Sequence, residues 1–521
     1  MRGYRFLKES NKLNLITEVK ESLTNTHFNN VSTNASSFIF GAGLNNAELI
    51  IRQYLLVRVA NLNLNKSLLY ALGKPVSKVI HPLPPEWRKI IEQHGFNVAK
   101  IQSAVAWNCF VLLMLIYGFY SIAIQILKNL KAIMRFQVIP LGMYAYFDKL
   151  TVDNLPKNTS GRQCDIITWY QQWPGRVKNL DSLCHNVNQV VSCKVTDTPI
   201  ISIPSAIVPL TQISPIIRFI GWGIAASIIA TIDLLRGNWW PALVLSEAAS
   251  SRQVNLQDSK KLAQDYMFHN SNWIYRPLWT YEAEKRGSRI CFYFYSTNCE
   301  SFKLPEGYPI QANSWQVINW PYYLVWDKYQ FDFVRRNAGT LAKISIVGPI
   351  DFIASPLEMV KVPLNSFAIF DVQPVRESFY CTLGIAFEFY IPEICNQFLI
   401  DILKVLKSKE ITMVHKRKRS IGNLAHYQYR NFLRDLKDDK AYINIDSDIC
   451  AKHIIADCLG VISMPFTSTA LLGMEFKKPS IFYDPSGQIQ KDDIGAHGIP
   501  IVTGIEELRE WVSNVLSQSQ Y

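Results

Sequence analysis

The chain has 521 residues, too many for one hydrophobic core, since single cores rarely grow beyond about 250–300 residues. Its composition (49% apolar, 12% aromatic, 18% charged) is that of a folded protein and excludes a disordered or solenoid chain. The balance of 54 basic against 42 acidic residues gives +12, which suits a membrane surface, phosphorylated substrates or nucleic acid without choosing among them.

The ten cysteines form no CxxC pair and no His/Cys cluster at zinc spacing, so neither a metal nor a bound cofactor is expected. The opening Met1-Arg-Gly-Tyr-Arg5 has no apolar run behind it, which argues against a secretory signal and for a reducing cytoplasm.

Residues 1–100 read as a mixed α/β segment, with helix at Leu13–Leu23, strand at Ser37–Phe40 and an apolar-periodic helix at Asn46–Ala60. The proline-rich run His81–Trp87 is a rigid connector. Residues 101–245 then read as an insertion built on apolar helices. Ile101–Leu127 is uncharged over 27 residues, with Lys100 before it and Lys128, Lys131 and Arg135 after it, which is long enough to cross a ~30 Å hydrocarbon layer. Phe219–Ile232, bounded by Arg218 and Asp233, has 14 uncharged residues and is too short to cross. Both segments are expected to enter one leaflet or lie in the interface, unless Ile101–Leu127 is a buried core helix.

Strands and helices alternate from about Lys260 onward. Residues 246–360 supply helix Tyr281–Arg286, strands Ile290–Tyr295, Tyr322–Trp326 and Ile344–Val347, and a helix through Arg336. Residues 361–521 supply strands Ala368–Val372, Ile411–Val414, Tyr442–Ile445, Gly460–Met464, Ser480–Tyr483 and Ile499–Val502. Helices are expected at about Glu393–Lys407, Tyr427–Leu436, Ile449–Asp457, Ser468–Phe476 and Glu506–Ser517. Short apolar strands alternating with helices imply parallel sheets covered on both faces. The expected architecture is α/β, two Rossmann-like halves facing across a cleft, with the membrane-associating helices in the N-terminal half.

In such folds ligands bind beyond the carboxyl ends of strands. Thr467, Ser468 and Thr469 stand between a strand and a helix, where hydroxyls either cap the free N–H groups or share them with a phosphate. The run His415-Lys416-Arg417-Lys418-Arg419 follows another strand and suits a diphosphate. Lys416 and Lys418 share one side of an extended segment, with His415, Arg417 and Arg419 on the other; only one set can face a ligand, and the Lys416 and Lys418 side is expected to be that set. Tyr483, Asp484 and Asp371 also stand at strand ends, as donor contacts or as structural residues. Glu282, Glu284 and Asp351 are candidates for the base that activates an acceptor hydroxyl, Glu282 and Glu284 diverging on their helix.

Pro465-Phe-Thr-Ser468 with Thr469-Ala470 and Lys478-Pro-Ser-Ile-Phe-Tyr-Asp-Pro485 resembles the bacterial polysaccharide biosynthesis PFTS-motif proteins. Pro277–Glu284, Phe292–Asn298 and Arg2–Lys8 are similar to that family too. The resemblance implies a GT-B-like fold and a role in making capsule, O-antigen or a similar glycan. The implied activity is a metal-independent glycosyltransferase, moving a sugar from a nucleotide-sugar donor to a glycan or lipid-linked acceptor at the cytoplasmic face of the membrane. A CMP-linked ulosonic-acid-type donor is favoured through a more distant likeness to sialyl- and Kdo-type transferases. The alternatives are a CDP-glycerol-type polyol-phosphate transferase and a non-catalytic assembly protein. Against the former, Leu472 stands where such polymerases carry a glutamate, with Glu475 about one turn away. The basic run is too short, and too far from any recognition motif, for a nucleic-acid binder.

Overall fold

The computed structural model describes residues 12–28, 31, 34–74, 76–134, 142–148, 165–186, 194–195, 198–270, 275–297, 299–309, 313–350, 361–375, 389–417, 422–447 and 449–519. Two sheets organise them. The second is the simpler: β9 (Ser366–Asp371), β10 (Thr412–Arg417), β11 (Tyr442–Ile445), β12 (Gly460–Ser463), β13 (Ser480–Asp484) and β14 (Ile501–Thr503). They lie in the order β11-β10-β9-β12-β13-β14, and every pair is parallel. This is the doubly wound order, with direction of winding reversing between β9 and β12. The strands are apolar along most of their length, with polar residues toward their carboxyl ends, because helices cover both faces. Pro392–Lys407 and Gly504–Ser519 pack on one side, and Ala451–Asp457 with Leu472 and Phe476 on the other.

The first sheet contains β1 (Tyr144–Phe147), β2 (Ser182–His185), β3 (Lys194–Val195), β4 (Thr198–Ser202), β5 (Asp265–His269), β6 (Arg289–Tyr293), β7 (Tyr322–Val325) and β8 (Lys343–Ile346). Its order is β3-β4-β2-β1-β5-β6-β7-β8, and only β3 runs antiparallel to its neighbour. The winding reverses between β1 and β5. Two Rossmann-like halves are thus present, as expected. The stretch read as an insertion nevertheless contributes β1 to β4 to this sheet. These strands are only two to five residues long, too short for their period to stand out in sequence.

Residues 1–100 depart from the mixed α/β expectation. Their described part is helical (Asn14–Thr24, Asn34–Phe40, Ala47–Arg58, Leu62–Gly73 and Pro85–Gln93), apart from a bridge between Val79 and Val98. Ser37–Phe40, expected as a strand, lies in a helix because Phe40 stacks on Trp240 (5.1 Å between rings) and Ile39 joins the same core. Packing overrides the weak strand preference of four residues.

The apolar segments form longer helices than expected, Lys100–Met134 (35 residues) and Ile213–Leu235 (23 residues). Arg218 and Asp233 therefore lie inside the second helix. Arg218 is exposed, and Asp233 accepts from Asn238 Nδ2 at 3.1 Å. Both helices pack on Trp240–Leu256, a helix buried along most of its length. The approach is close enough that a Cβ on Gly118 would stand 2.7 Å from Leu245, so Gly118 is the residue that lets these helices meet.

Candidate functional site

The carboxyl edge of the second sheet is where its chain reverses. Parallel pairing sets Arg417 beside Asp371 and Ser463 beside Phe370, and Met464 N–H donates to the Phe370 carbonyl at 2.8 Å. Asp371, the end of β10 and the Pro465–Thr469 turn thereby occupy neighbouring positions at the switch point between β9 and β12. The turn is held by Phe466, whose φ of +41° lies in the left-handed region that non-glycine residues rarely occupy. Its ring packs on Phe302 of the first half (5.0 Å) and on Phe482 (5.6 Å).

The helix Ser468–Glu475 starts from this turn, and its N-cap residue Thr467 makes no side-chain cap. Thr467 Oγ1 instead donates back to the Met464 carbonyl at 2.9 Å and stands 3.2 Å from Thr469 Oγ1, which is also 2.9 Å from Ser463 Oγ. The hydroxyls hold the turn, not the helix terminus. The first N–H groups and the positive end of the helix dipole are left without a Thr467 side-chain cap, an arrangement that can receive an anion.

The other expected donor residues divide. His415 is fully buried, with Nδ1 2.7 Å from Tyr442 Oη and Nε2 3.2 Å from Asp371 Oδ1, while Tyr429 donates its hydroxyl to Asp371 Oδ2. Burial, then the Asp371 charge, raises the Tyr429 hydroxyl well above its ordinary value, so it remains a donor. Lys416 is largely buried and donates to the Ser447 carbonyl at 3.0 Å. Arg417 is half-buried at the end of β10, and its Nε has no hydrogen-bond partner among the described residues. Lys418 and Arg419 lie outside the described residues. Tyr483 donates to Asp401 Oδ2 (2.7 Å), and Asp484 accepts from the Ser486 and Ile489 N–H groups (2.8 Å each), so both buried residues serve the strand end and its turn.

The structure places Glu282 and Glu284 away from this edge. Their helix, Trp279–Lys285, runs back from the carboxyl end of β5 toward the start of β6. Glu282 is buried, accepting from Ala42 N–H (2.7 Å) and Asn255 Nδ2 (3.0 Å), and Glu284 pairs with Arg276. Asp351 lies outside the described residues. At the switch point of the first sheet stand residues that sequence reasoning did not single out. Asp148 follows β1 and is bonded to Asn186 Nδ2 at 3.3 Å, with His185 ending β2 and His269 ending β5. Each is almost fully buried. The available signal was an apolar strand stopping at a polar residue, Tyr144–Phe147 before Asp148.

The two carboxyl edges meet. Lys303 N–H donates to Asp493 Oδ2 (2.7 Å), Tyr308 Oη to Asp493 Oδ1 (3.1 Å), and His497 Nδ1 stands 2.5 Å from Asp327 Oδ2. A pocket of about 310 Å³ also opens between the halves, where Trp169, Val347 and Pro349 face Leu472, Glu475 and Phe476. Glu300, on the first half beside this junction, pairs with Arg336 and has its carboxyl raised above the usual range by burial, which Arg336 opposes. A folded-state value above the unfolded one means its contribution is fully present below the unfolded pKa and is lost as pH rises through the folded one. Glu300→Gln should therefore flatten the fall in melting temperature as pH rises above the ordinary glutamate pKa of about 4.3. An unchanged profile would remove Glu300 from that dependence.

Fold and site together define a GT-B-like α/β protein with an uncapped helix terminus at the switch point of its second half. The chain belongs to the polysaccharide biosynthesis PFTS motif family, whose model matches residues 222–512. No curated protein sequence matches it. Among solved structures it is similar to the wall teichoic acid polymerase TagF (12% identity, 80% of this chain and 90% of that one, TM-score 0.39). It is also similar to a UDP-GlcNAc 2-epimerase from Methanocaldococcus jannaschii (8%, 72% and 92%, 0.37) and a glycosyltransferase from Rickettsia africae (12%, 72% and 88%, 0.35).

Proposed function

We propose that this protein is a glycosyltransferase that moves a sugar from a nucleotide-activated donor to a growing surface polysaccharide or its lipid-linked precursor. The observation that carries the reading is the helix start at Ser468, with its capping hydroxyl turned away, at the switch point of a doubly wound sheet facing a second one. The donor phosphate is held by the N–H groups of Ser468 and Thr469 and by Arg417. They stabilise charge that develops on the departing nucleotide, usually the largest catalytic effect. A base from the carboxyl edge of the first sheet, for which Asp148 is best placed, takes the acceptor proton. The donor class favoured is a CMP-linked ulosonic acid.

The protein works on the cytoplasmic face of a membrane without crossing it. The Lys100–Met134 helix is about 52 Å long at 1.5 Å per residue, well over the ~30 Å apolar layer. One stripe along it, Ser103 through Ala132, is buried against the protein, while Leu112, Leu113, Ile116, Tyr117 and Tyr120 are exposed. Ile217, Ile224, Ile228 and Ile232 are exposed on the adjacent Ile213–Leu235 helix. One face on protein and one apolar face outward is the pattern of an in-plane layer.

Thermal-shift measurement with CMP, CDP, UDP and GDP tests the reading. The correct nucleotide at about 100 times its dissociation constant stabilises by ~2.7 kcal/mol, and the Ser468→Ala/Thr469→Ala protein should lose most of that shift. Absence of a shift with all four nucleotides would reject nucleotide-dependent transfer.

A further inference from the structure

A second cavity, of about 350 Å³, lies on the other side of the first half from the nucleotide site. It is enclosed by the Asn34–Phe40, Ile213–Leu235 and Trp240–Leu256 helices and by the end of Trp279–Lys285, toward the amino ends of the strands. Its apolar wall is Trp222 stacked on Phe38, 6.0 Å between rings. Its polar wall holds Arg252, Asn255, Glu282 and Lys285.

The charges in and around this cavity do not balance. Glu282, its one acidic lining residue, is committed to Ala42 N–H and Asn255. Gly41 allows that commitment, since a side chain there would collide with the Glu282 carboxylate. Arg252 reaches only the neutral Asn255 Oδ1 (2.8 Å), and its buried Nε has no hydrogen-bond partner among the described residues. Burial lowers the guanidinium below its ordinary value, Glu282 opposes this, and the nearby Arg218 adds to it. Lys285 and Arg218 are exposed, and neither joins an ion pair among the described residues. A half-buried guanidinium with an idle N–H, with Arg218 near it and Lys285 on the same lining, suits an anion with several acceptor oxygens.

The surroundings say what carries that anion. Arg218 projects from the same helix whose outer face exposes Ile217, Ile224 and Ile228. Trp222 of that helix and Phe38 line the cavity beside the cations, a pairing of aromatic and basic side chains typical of the level of lipid headgroups. We propose that this cavity binds the phosphate headgroup of an anionic phospholipid, whose acyl chains lie along the exposed face of the two apolar helices. Arg252 and Arg218 clamp the phosphate, Lys285 adds charge at the rim, and the bound lipid fixes how the nucleotide cleft is turned relative to the membrane. The site rests on the membrane-surface reading above and adds headgroup selectivity to it.

Flotation of the full chain with vesicles tests the proposal, comparing pure phosphatidylcholine with phosphatidylcholine containing roughly 30% phosphatidylglycerol. Wild type should bind the anionic vesicles at least about fivefold more tightly. Arg252→Gln/Arg218→Gln should abolish that preference while leaving binding to neutral vesicles unchanged. Lys437→Gln/Lys440→Gln, the same loss of charge on the second half, should retain it. An equal loss in both double variants would mean general surface charge and overturn the headgroup site. So would equal binding of wild type to both vesicles. Failure of wild type to float with either would overturn the membrane-surface reading itself. Inorganic phosphate is the remaining arm: if it raises the melting temperature in an Arg252-dependent way and competes fully with vesicles, the ligand is a free anion and the lipid assignment fails. Arg218→Gln alone, at an exposed position, keeps the test valid if Arg252→Gln unfolds.

Discussion

Asp371→Ala should destabilise the second half by about 1–3 kcal/mol, the usual cost of leaving a buried polar group without its partner. The carboxylate receives the Tyr429 hydroxyl on one oxygen and stands 3.2 Å from His415 Nε2 on the other, and all three side chains are buried. Alanine leaves the buried Tyr429 hydroxyl without its acceptor. It also opens space between β9 and β10. Urea unfolding followed by tryptophan fluorescence measures the loss. Asp371→Asn, which keeps shape and one acceptor, should cost clearly less. If Asp371→Ala instead unfolds like wild type but fails to bind nucleotide, the carboxylate is a donor contact and the buried cluster is not what holds the strand ends.

Arg417→Ala should weaken nucleotide binding by one to two orders of magnitude, the equivalent of one charge-assisted phosphate bond at about 1.5–3 kcal/mol. The sequence reading puts Lys416 and Lys418 on the ligand side of the basic run; we propose the Arg417 side instead. The Lys416 ammonium donates to the Ser447 carbonyl, whereas the Arg417 Nε has no partner among the described residues and the residue sits beside Asp371 at the switch point. Lys416→Ala should therefore act mainly on stability. Isothermal titration of both variants with the nucleotide found by thermal shift decides the matter. A Lys416 variant that binds tenfold worse than the Arg417 variant reverses the assignment of the face.

Much of the second half was legible from residue order. Most strands there carry a short apolar run between helices with clear period, and the expected Tyr427–Leu436 helix and Tyr442–Ile445 strand match the structure to the residue. The PFTS turn was legible as a strand-to-helix junction. Its three hydroxyls could not be told from helix caps without seeing Thr467 bonded backward to Met464. Tyr483 and Asp484 show the converse: a polar residue past a strand points to a site, yet these two close a turn and a core contact.

By itself the sequence determined the layered α/β class, the two apolar segments and the strand–helix junctions, because these depend on local period, on turn chemistry and on runs without charge. Only the tertiary structure decided which residues meet. Strand order is set by packing across the whole sheet, so the reversal points that bring Arg417, Asp371 and Ser468 together, and Asp148 near His185, leave no mark on neighbouring residues. The same holds for Glu282. Its helix was visible in the sequence, but its hydrogen bonds come from Ala42, 240 positions away, and Asn255, 27 positions away, and they hold the carboxylate in the wall of a cationic cavity.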